Sequence, residues 1–363
     1  MIVDRLSLTR DHTGLLSTER FTAAIGSFDG VHRGHQYLLG LLLDSARTAT
    51  TVLEPAIPLP DLTPFGAASE PDPLRDAEVA SHALSTRNSQ PQPLNSLVVT
   101  FDPLPFEVLH PEAPPSRLTD IDERIDLLAG LGIDRVCVVE FNRELAAIPP
   151  TRFLELLTAR YDIRELWCGE DFAFGHNRAG TAEFLLSHAA EYGFSVEVTP
   201  RIDVSGARVG SRDIRRLVAV GQLEAAGELL GHPPTVSGPV IAGAQRGRQL
   251  GFPTANLLVP PYKLIPQTGI YAGYARLETR RYLVATSVGH NPTFGLHPLS
   301  VEGFILDFDR EILGSHVTFE FAHRIRDELK FDSVDALVAQ MAADVEVTRT
   351  LLDSRRSMGS HPR

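Results

Sequence analysis

The chain has 363 residues, 43% of them hydrophobic, and a formal net charge of −12. That length predicts two or three domains, and that charge excludes a surface that wraps DNA or RNA, because phosphate polymers require basic surface. It leaves room for a small nucleotide, which a few local groups can hold.

The two cysteines, Cys137 and Cys168, lie in apolar strand-like runs and read as buried small hydrophobes in a reducing compartment. No window reaches 18 apolar residues, and the N-terminus lacks a basic region followed by an apolar one. A cytoplasmic protein with no membrane and no nucleic-acid partner is expected.

Taken in chain order, a short apolar strand at Phe21–Ile25 leads through Gly26-Ser-Phe-Asp-Gly-Val-His-Arg-Gly-His35 into a helix at 36–46. Gly26, Gly30 and Gly34 allow a tight turn and close approach of backbone to a ligand. The helix N-terminus offers free N–H groups to an anion. His32 and His35, three apart, share one face of the first turn and suit a triphosphate attacked at its α-phosphorus. The alternative is a Gly-rich strand–helix turn with two exposed histidines.

Residues 49–96 are proline-rich and without lysine, and read as an inserted, largely disordered loop or, alternatively, a lid. Strands follow at 97–101, 135–140, 165–168 and 194–198. Helices follow at 119–131 (capped by Thr119), 151–161, 181–192, 211–220 and 222–230, with Gly231 as the stop. This alternation predicts a doubly covered parallel sheet, with ligands beyond the carboxyl ends of its strands.

After Pro233-Pro234 the pattern changes to short β-runs at 235–241, 269–277, 282–288, 301–308 and 316–321, predicting a small antiparallel barrel. Asp332-Ser333 caps a last helix to about Leu352, with Val334, Leu337, Val338, Met341 and Val345 as its apolar face. Residues 354–363 read as a disordered tail.

A second chemical stretch, Gly247-Arg-Gln-Leu-Gly-Phe-Pro-Thr-Ala-Asn256, opens the barrel half. Thr254 and Asn256 alternate with Ala255, so an extended strand presents both oxygens to one side, suited to Mg²⁺ carrying nucleotide phosphates. Gly243, Gly247 and Gly251 would let a loop close over those phosphates; an ordinary turn at Phe252-Pro253 is the alternative. Glu302, within the apolar run Val301–Phe304, is either a solvated charge or the carboxylate that takes a proton from an attacking hydroxyl.

These stretches, with Thr100-Phe-Asp-Pro103, Gly169-Glu-Asp-Phe172, Phe174-Gly175, Gly269-Ile-Tyr-Ala272, Asn291-Pro-Thr-Phe294 and Phe321–Arg326, make the chain resemble the prokaryotic bifunctional riboflavin kinase/FAD synthetases. The resemblance implies a Rossmann-like nucleotidyltransferase-type α/β domain at 1–231, carrying the insertion, and a riboflavin kinase barrel with a C-terminal helix at 232–353. It implies two ATP- and Mg²⁺-dependent reactions: riboflavin to FMN in the barrel half, and FMN to FAD in the α/β half.

By the same resemblance, Thr254 and Asn256 hold Mg²⁺ and phosphates, and Glu302 is the base. His32 and His35 stabilise adenylyl transfer. Gly26, Phe28, Asp29, Gly30, Gly34, Ser211, Arg215, Gly247 and Gly251 line the phosphate sites, and Asp171, Phe172 and Arg326 the flavin sites.

The chain departs from the family pattern at Ser27 (usually Asn), Leu104 (usually His), Ala173 (usually Arg), and Gly210 and Arg212 (usually hydroxyl residues). Two alternatives therefore stand beside the bifunctional enzyme. One is a paralogue that acts mainly as a riboflavin kinase with an impaired or repurposed adenylyltransferase half. The other is a flavin-binding regulator without turnover.

Overall fold

The computed structural model describes residues 1–9, 17–48, 94–113, 116–204, 206–243, 246–290 and 299–353. The expectations for most of 49–96, for Asn291–Phe294 and for the 354–363 tail fall outside these residues.

The first half is built on six parallel strands: β1 (Ile2–Leu6), β2 (Arg20–Ile25), β3 (Asn95–Asp102), β4 (Arg135–Glu140), β5 (Asp162–Gly169) and β6 (Ser195–Thr199). Their order is β1-β4-β3-β2-β5-β6. The central strands read as mainly apolar runs because helices cover both faces, and buried hydroxyls among them, at Thr22 and Thr100, are satisfied by Glu165 and the Ser27 carbonyl. Along β2, Phe21, Ala23 and Ile25 join one core while Ala24 faces the other.

The helices that supply these faces are α1 (Arg33–Thr48), α2 (Ile121–Gly130), α3 (Pro150–Thr158) and α4 (Ala182–Tyr192). Two connecting helices follow, α5 (Ser211–Ala219) and α6 (Leu223–Leu230), the latter ended by left-handed Gly231 as expected.

The second half is a closed barrel of β7 (Thr235–Ile241), β8 (Thr254–Leu257), β9 (Gly269–Leu277), β10 (Arg280–Gly289), β11 (Ser300–Ile305) and β12 (His316–Arg326), in the order β7-β8-β11-β10-β9-β12. Its interior holds Val236, Ala255, Leu257, Tyr271, Val284, Val301 and Phe319. Helix α7 (Val334–Asp353) lies across β9, β10 and β12.

Several details differ from the sequence reading. Strand β1 was not expected: Asp4 and Arg5 interrupt its apolar pattern, as an edge strand permits. Strand β3 reaches back to Asn95, inside the segment read as an insertion, because the Asp134 carboxylate accepts from the Ser96 backbone N–H at 2.9 Å and its hydroxyl at 2.7 Å. The cap of α2 is Asp120, in a reciprocal box with Glu123, and not Thr119. On α7, Val334 is 59% exposed, and the buried residues are Asp344, Thr348 and Leu352.

The halves are joined by a polar knot. The Lys263 ammonium, fully buried, pairs with the Glu123 carboxylate and donates to the Leu118 carbonyl at 2.8 Å. The Ser237 hydroxyl donates to the other Glu123 oxygen at 2.7 Å. The Tyr262 carbonyl accepts from the Ser116 and Arg117 N–H groups, and Leu264 donates back to the Arg117 carbonyl.

Removing one charge from a buried pair leaves the other uncompensated, at a cost of about 3–5 kcal/mol. Lys263→Ala is therefore expected to lower the urea midpoint steeply. A paired Lys263→Met/Glu123→Leu variant should recover most of the loss. Equal midpoints for Lys263→Ala and the wild type would show that the pair is not a stability element.

Candidate active sites

The turn after β2 is tighter than its glycines alone suggest. Gly30 has φ of 82°, and a Cβ there would lie 2.9 Å from Leu118. Phe28 and Val31 also adopt positive φ, 47° and 39°, which side chains rarely do. Gly26 and Gly34 do not need glycine for φ. At Gly34, however, a Cβ would press on the His32 ring at 3.2 Å.

The two histidines are brought together. Helix α1 starts at Arg33, three residues earlier than expected, so His32 precedes it and acts as its cap. The His35 N–H donates to His32 Nδ1 at 3.3 Å. This fixes the proton of neutral His32 on Nε2, a donor. The rings stack at 3.6 Å with an interplanar angle of 14°, and Phe28 packs edge-on against His35 at 5.0 Å.

Burial pulls the His32 imidazole down to about 4. Burial, then the neighbouring His32 and Arg124, hold His35 well below the usual histidine range. Both rings are neutral near pH 7. The His35 Nδ1 is buried without a partner among the described residues.

A cleft of about 1070 Å³ opens over the carboxyl ends of the strands. Gly26, Ser27, Phe28, His32, Gly34 and His35 form one wall, and Gly210, Ser211 and Arg212 another. Asp171 and Phe172 also line it, with Phe101, Phe141 and Phe174, and the Asp171 charge reaches the His32 ring. Asp171 pairs with Arg201 at 3.0 Å, so a cation stands beside it although position 173 is Ala.

Gly30, Asp29 and Arg215, expected at the phosphates, do not line this cleft. Asp29 is 1% exposed and accepts from the Leu118 and Thr119 N–H groups, the Thr119 hydroxyl and the Arg215 guanidinium. Burial pushes its carboxyl up, but Arg215, Arg124 and these bonds outweigh it, leaving a net downward shift. Arg215 spends its Nε on the Ser116 carbonyl at 2.8 Å. Ser211 follows the cap residue Gly210 as the first residue of α5. Its hydroxyl donates to the Asp29 carbonyl at 3.1 Å. These three residues thus fasten α5 to the 26–35 turn.

In the barrel, β8 and β11 are antiparallel with Asn256 opposite Glu302. Thr254, Asn256 and Glu302 alternate with core residues and meet on the outer face, half-buried. The Thr254 hydroxyl donates to Glu302 Oε2 at 3.4 Å. The Asn256 amide nitrogen, turned toward Glu302, donates to its two oxygens at 3.0 and 3.3 Å. Burial raises the Glu302 carboxyl above the ordinary range, with the Thr254 bond acting the other way.

Gly247 sits in the short helical turn at Arg246–Gln249. A Cβ there would collide with the Phe252 carbonyl. Gly251 follows with φ of 85°. Arg326 is not free for a flavin: it forms a forked pair with Asp344 at 2.9 and 2.6 Å and donates to the Asp327 carbonyl, tying β12 to α7. The fork was not legible because Asp344 lies 18 residues away on another element. Arg201 was missed as a cleft residue for the same reason, whereas Arg212 stands out in the sequence as a candidate new phosphate contact and does line the cleft. The place of Arg201 depends on loop conformation, while Arg212 lies in the first turn of α5.

The parallel sheet with a histidine-bearing turn and the barrel with a half-buried carboxylate define a two-domain enzyme of the nucleotidyltransferase–flavokinase class. A riboflavin kinase family model matches residues 230–352, and an FAD synthetase family model matches residues 16–54 and 79–213. The chain belongs to the bifunctional riboflavin kinase/FAD synthetase family.

A bifunctional riboflavin kinase/FMN adenylyltransferase of Listeria monocytogenes is 35% identical over 258 residues, covering 70% of this chain and 82% of that one. One from Pseudomonas fluorescens is 30% identical over 347 residues, 95% of each chain. A crystal structure described as a macrolide-efflux protein from Streptococcus pneumoniae superposes with a TM-score of 0.73 at 28% identity, over 96% of this chain and 99% of that one. Among the described residues here, no helix is long and apolar enough to cross a membrane.

Proposed function

We propose that the chain makes FAD from riboflavin in two ATP-dependent steps, one in each half. The barrel half, 232–353, transfers the γ-phosphoryl group of ATP to a ribityl hydroxyl, giving FMN and ADP. The α/β half, 1–231, transfers AMP from ATP to the FMN phosphate, giving FAD and pyrophosphate. The observation that carries the reading is the pairing of two sites of the required chemistry on one chain. They are the neutral, stacked His32 and His35 on the cleft wall, and the Thr254–Asn256–Glu302 cluster on the barrel. The kinase-only and regulator alternatives rest on the sequence departures alone, and no feature of either site adds to them.

In the barrel half, Glu302 takes the hydroxyl proton as the new O–P bond forms. Its raised pKa suits it to that role. The Thr254 hydroxyl and Asn256 amide oxygen are hard neutral donors that fit Mg²⁺ arriving with nucleotide phosphates. The ion would neutralise charge on those phosphates.

In the α/β half, the attacking FMN phosphate is already anionic, so no base is needed. Donors aimed at the α-phosphoryl oxygens, and alignment within the cleft, carry the rate. Asp171 and Phe172 face the flavin end. A cytoplasmic setting, with small molecules as the partners and neither nucleic acid nor membrane, fits the acidic surface.

The test is incubation of the purified chain with Mg²⁺-ATP and either riboflavin or FMN, followed by chromatographic separation of the flavins. FMN and FAD from riboflavin, and FAD from FMN, are expected. FMN without FAD would leave only the kinase half of the proposal standing, and no flavin conversion would remove both.

A further inference from the structure

We propose that Arg212 is a phosphate-contacting cation of the adenylyl-transfer cleft in this chain, holding the pyrophosphate portion of ATP and the pyrophosphate product. The inference rests on the assignment of AMP transfer to this half.

Beside the histidine turn stands the first turn of α5, fixed against it by the Ser211 hydroxyl on the Asp29 carbonyl. The groups that sequence reasoning offers to phosphates from this turn are already used within the protein. The Ser211 proton is on Asp29. The Arg215 guanidinium is on Asp29 and Ser116, outside the cleft. Gly210 has no side chain. Within this turn Arg212 is what remains: it lines the cleft, is exposed and, like Arg208 just before the turn, has no side-chain hydrogen-bond or ion-pair partner among the described residues.

It is one residue from the Ser211–Asp29 tether, hence on the histidine side of the cleft. Arg178 lies instead on the loop carrying the apolar end around Phe174. Asp213, in the same turn, has Arg216 at 3.8 Å, which offsets its charge. A guanidinium forks onto two phosphate oxygens, which a hydroxyl cannot do. The exchange of hydroxyl for Arg at 212 is thus a change of donor, not a loss of one.

The test compares wild type, Arg212→Ala, Arg212→Lys and Arg212→Thr in FAD formation from FMN, and in the reverse reaction from FAD and pyrophosphate. Riboflavin phosphorylation by the same preparations reports on folding. Arg212→Ala is expected to lower kcat/KM for ATP by about 10²-fold. In reverse, the KM for pyrophosphate should rise while the KM for FAD is unmoved, and kinase turnover should be unchanged. Lys should restore part of the loss.

A merely structural role would move both reverse KM values and would not be rescued by Lys. That result overturns the inference, as does an Arg212→Ala rate within twofold of wild type. A wild-type chain that forms no FAD would remove the underlying assignment. A wild type that forms FAD alongside an unimpaired Arg212→Ala would remove this inference alone.

Discussion

Glu302→Gln is expected to lower riboflavin phosphorylation by about 10²–10⁴-fold while leaving FAD formation from supplied FMN unchanged. The substitution keeps the size of the side chain and its place opposite Asn256, but cannot accept the hydroxyl proton. It also keeps an oxygen for the Thr254 hydroxyl, so the barrel surface should be preserved.

The pH dependence follows from the direction of the shift. Burial raises the Glu302 carboxyl above 4.5, and the active form is the carboxylate. Kinase kcat/KM should therefore fall as pH is lowered through the raised value, with a limb at higher pH than an ordinary glutamate would give. That limb should vanish from the residual activity of Glu302→Gln. A variant retaining more than half of wild-type turnover would remove Glu302 from the chemistry.

The second large effect belongs to the histidine pair. His32→Ala/His35→Ala should reduce FAD formation by at least about 10³-fold, since one lost transition-state donor costs about 10²–10³. The two rings act as a stacked unit, so each single variant should cost nearly as much as the double. Kinase turnover in the same preparation should stay at the wild-type level.

Because His32 sits at about 4 and burial holds His35 well below the usual histidine range, both rings are neutral near pH 7. An acid limb near pH 6 in kcat/KM would belong to the second ionisation of the FMN phosphate, and should persist in both single variants. A limb that disappears with His32 would show that the imidazole works as a proton carrier. Unchanged FAD formation in the double variant would move the adenylyl-transfer site elsewhere.

Much of this was legible in the sequence, for identifiable reasons. The buried strands β2, β3 and β4 declared themselves because both faces of the sheet are covered and their residues are mostly apolar. Thr254 and Asn256 could be placed on one side of a strand by period alone, and they are. Spacing of three put His32 and His35 on one face, and they stack. What spacing could not supply was long-range pairing. Asp29 and Arg215 look like phosphate ligands in sequence, yet each satisfies the other 186 residues away. Arg326 looks available until Asp344 folds back on it. Thr119 would serve as a cap, but its hydroxyl is held between the Gly30 N–H and Asp29. In each case a polar side chain with a plausible local task was taken up by a partner that only the tertiary fold brings near.

The knot around Glu123 bears on how such enzymes can be recombined. The carboxylate lies in α2, while the ammonium and hydroxyl it satisfies come from the barrel, at Lys263 and Ser237. A chimera that joined this barrel to a foreign α/β partner would import Lys263 without its counter-charge unless that partner offered a carboxylate at the same place. The two heads are thus matched parts, and exchange of one obliges a compensating change in the other.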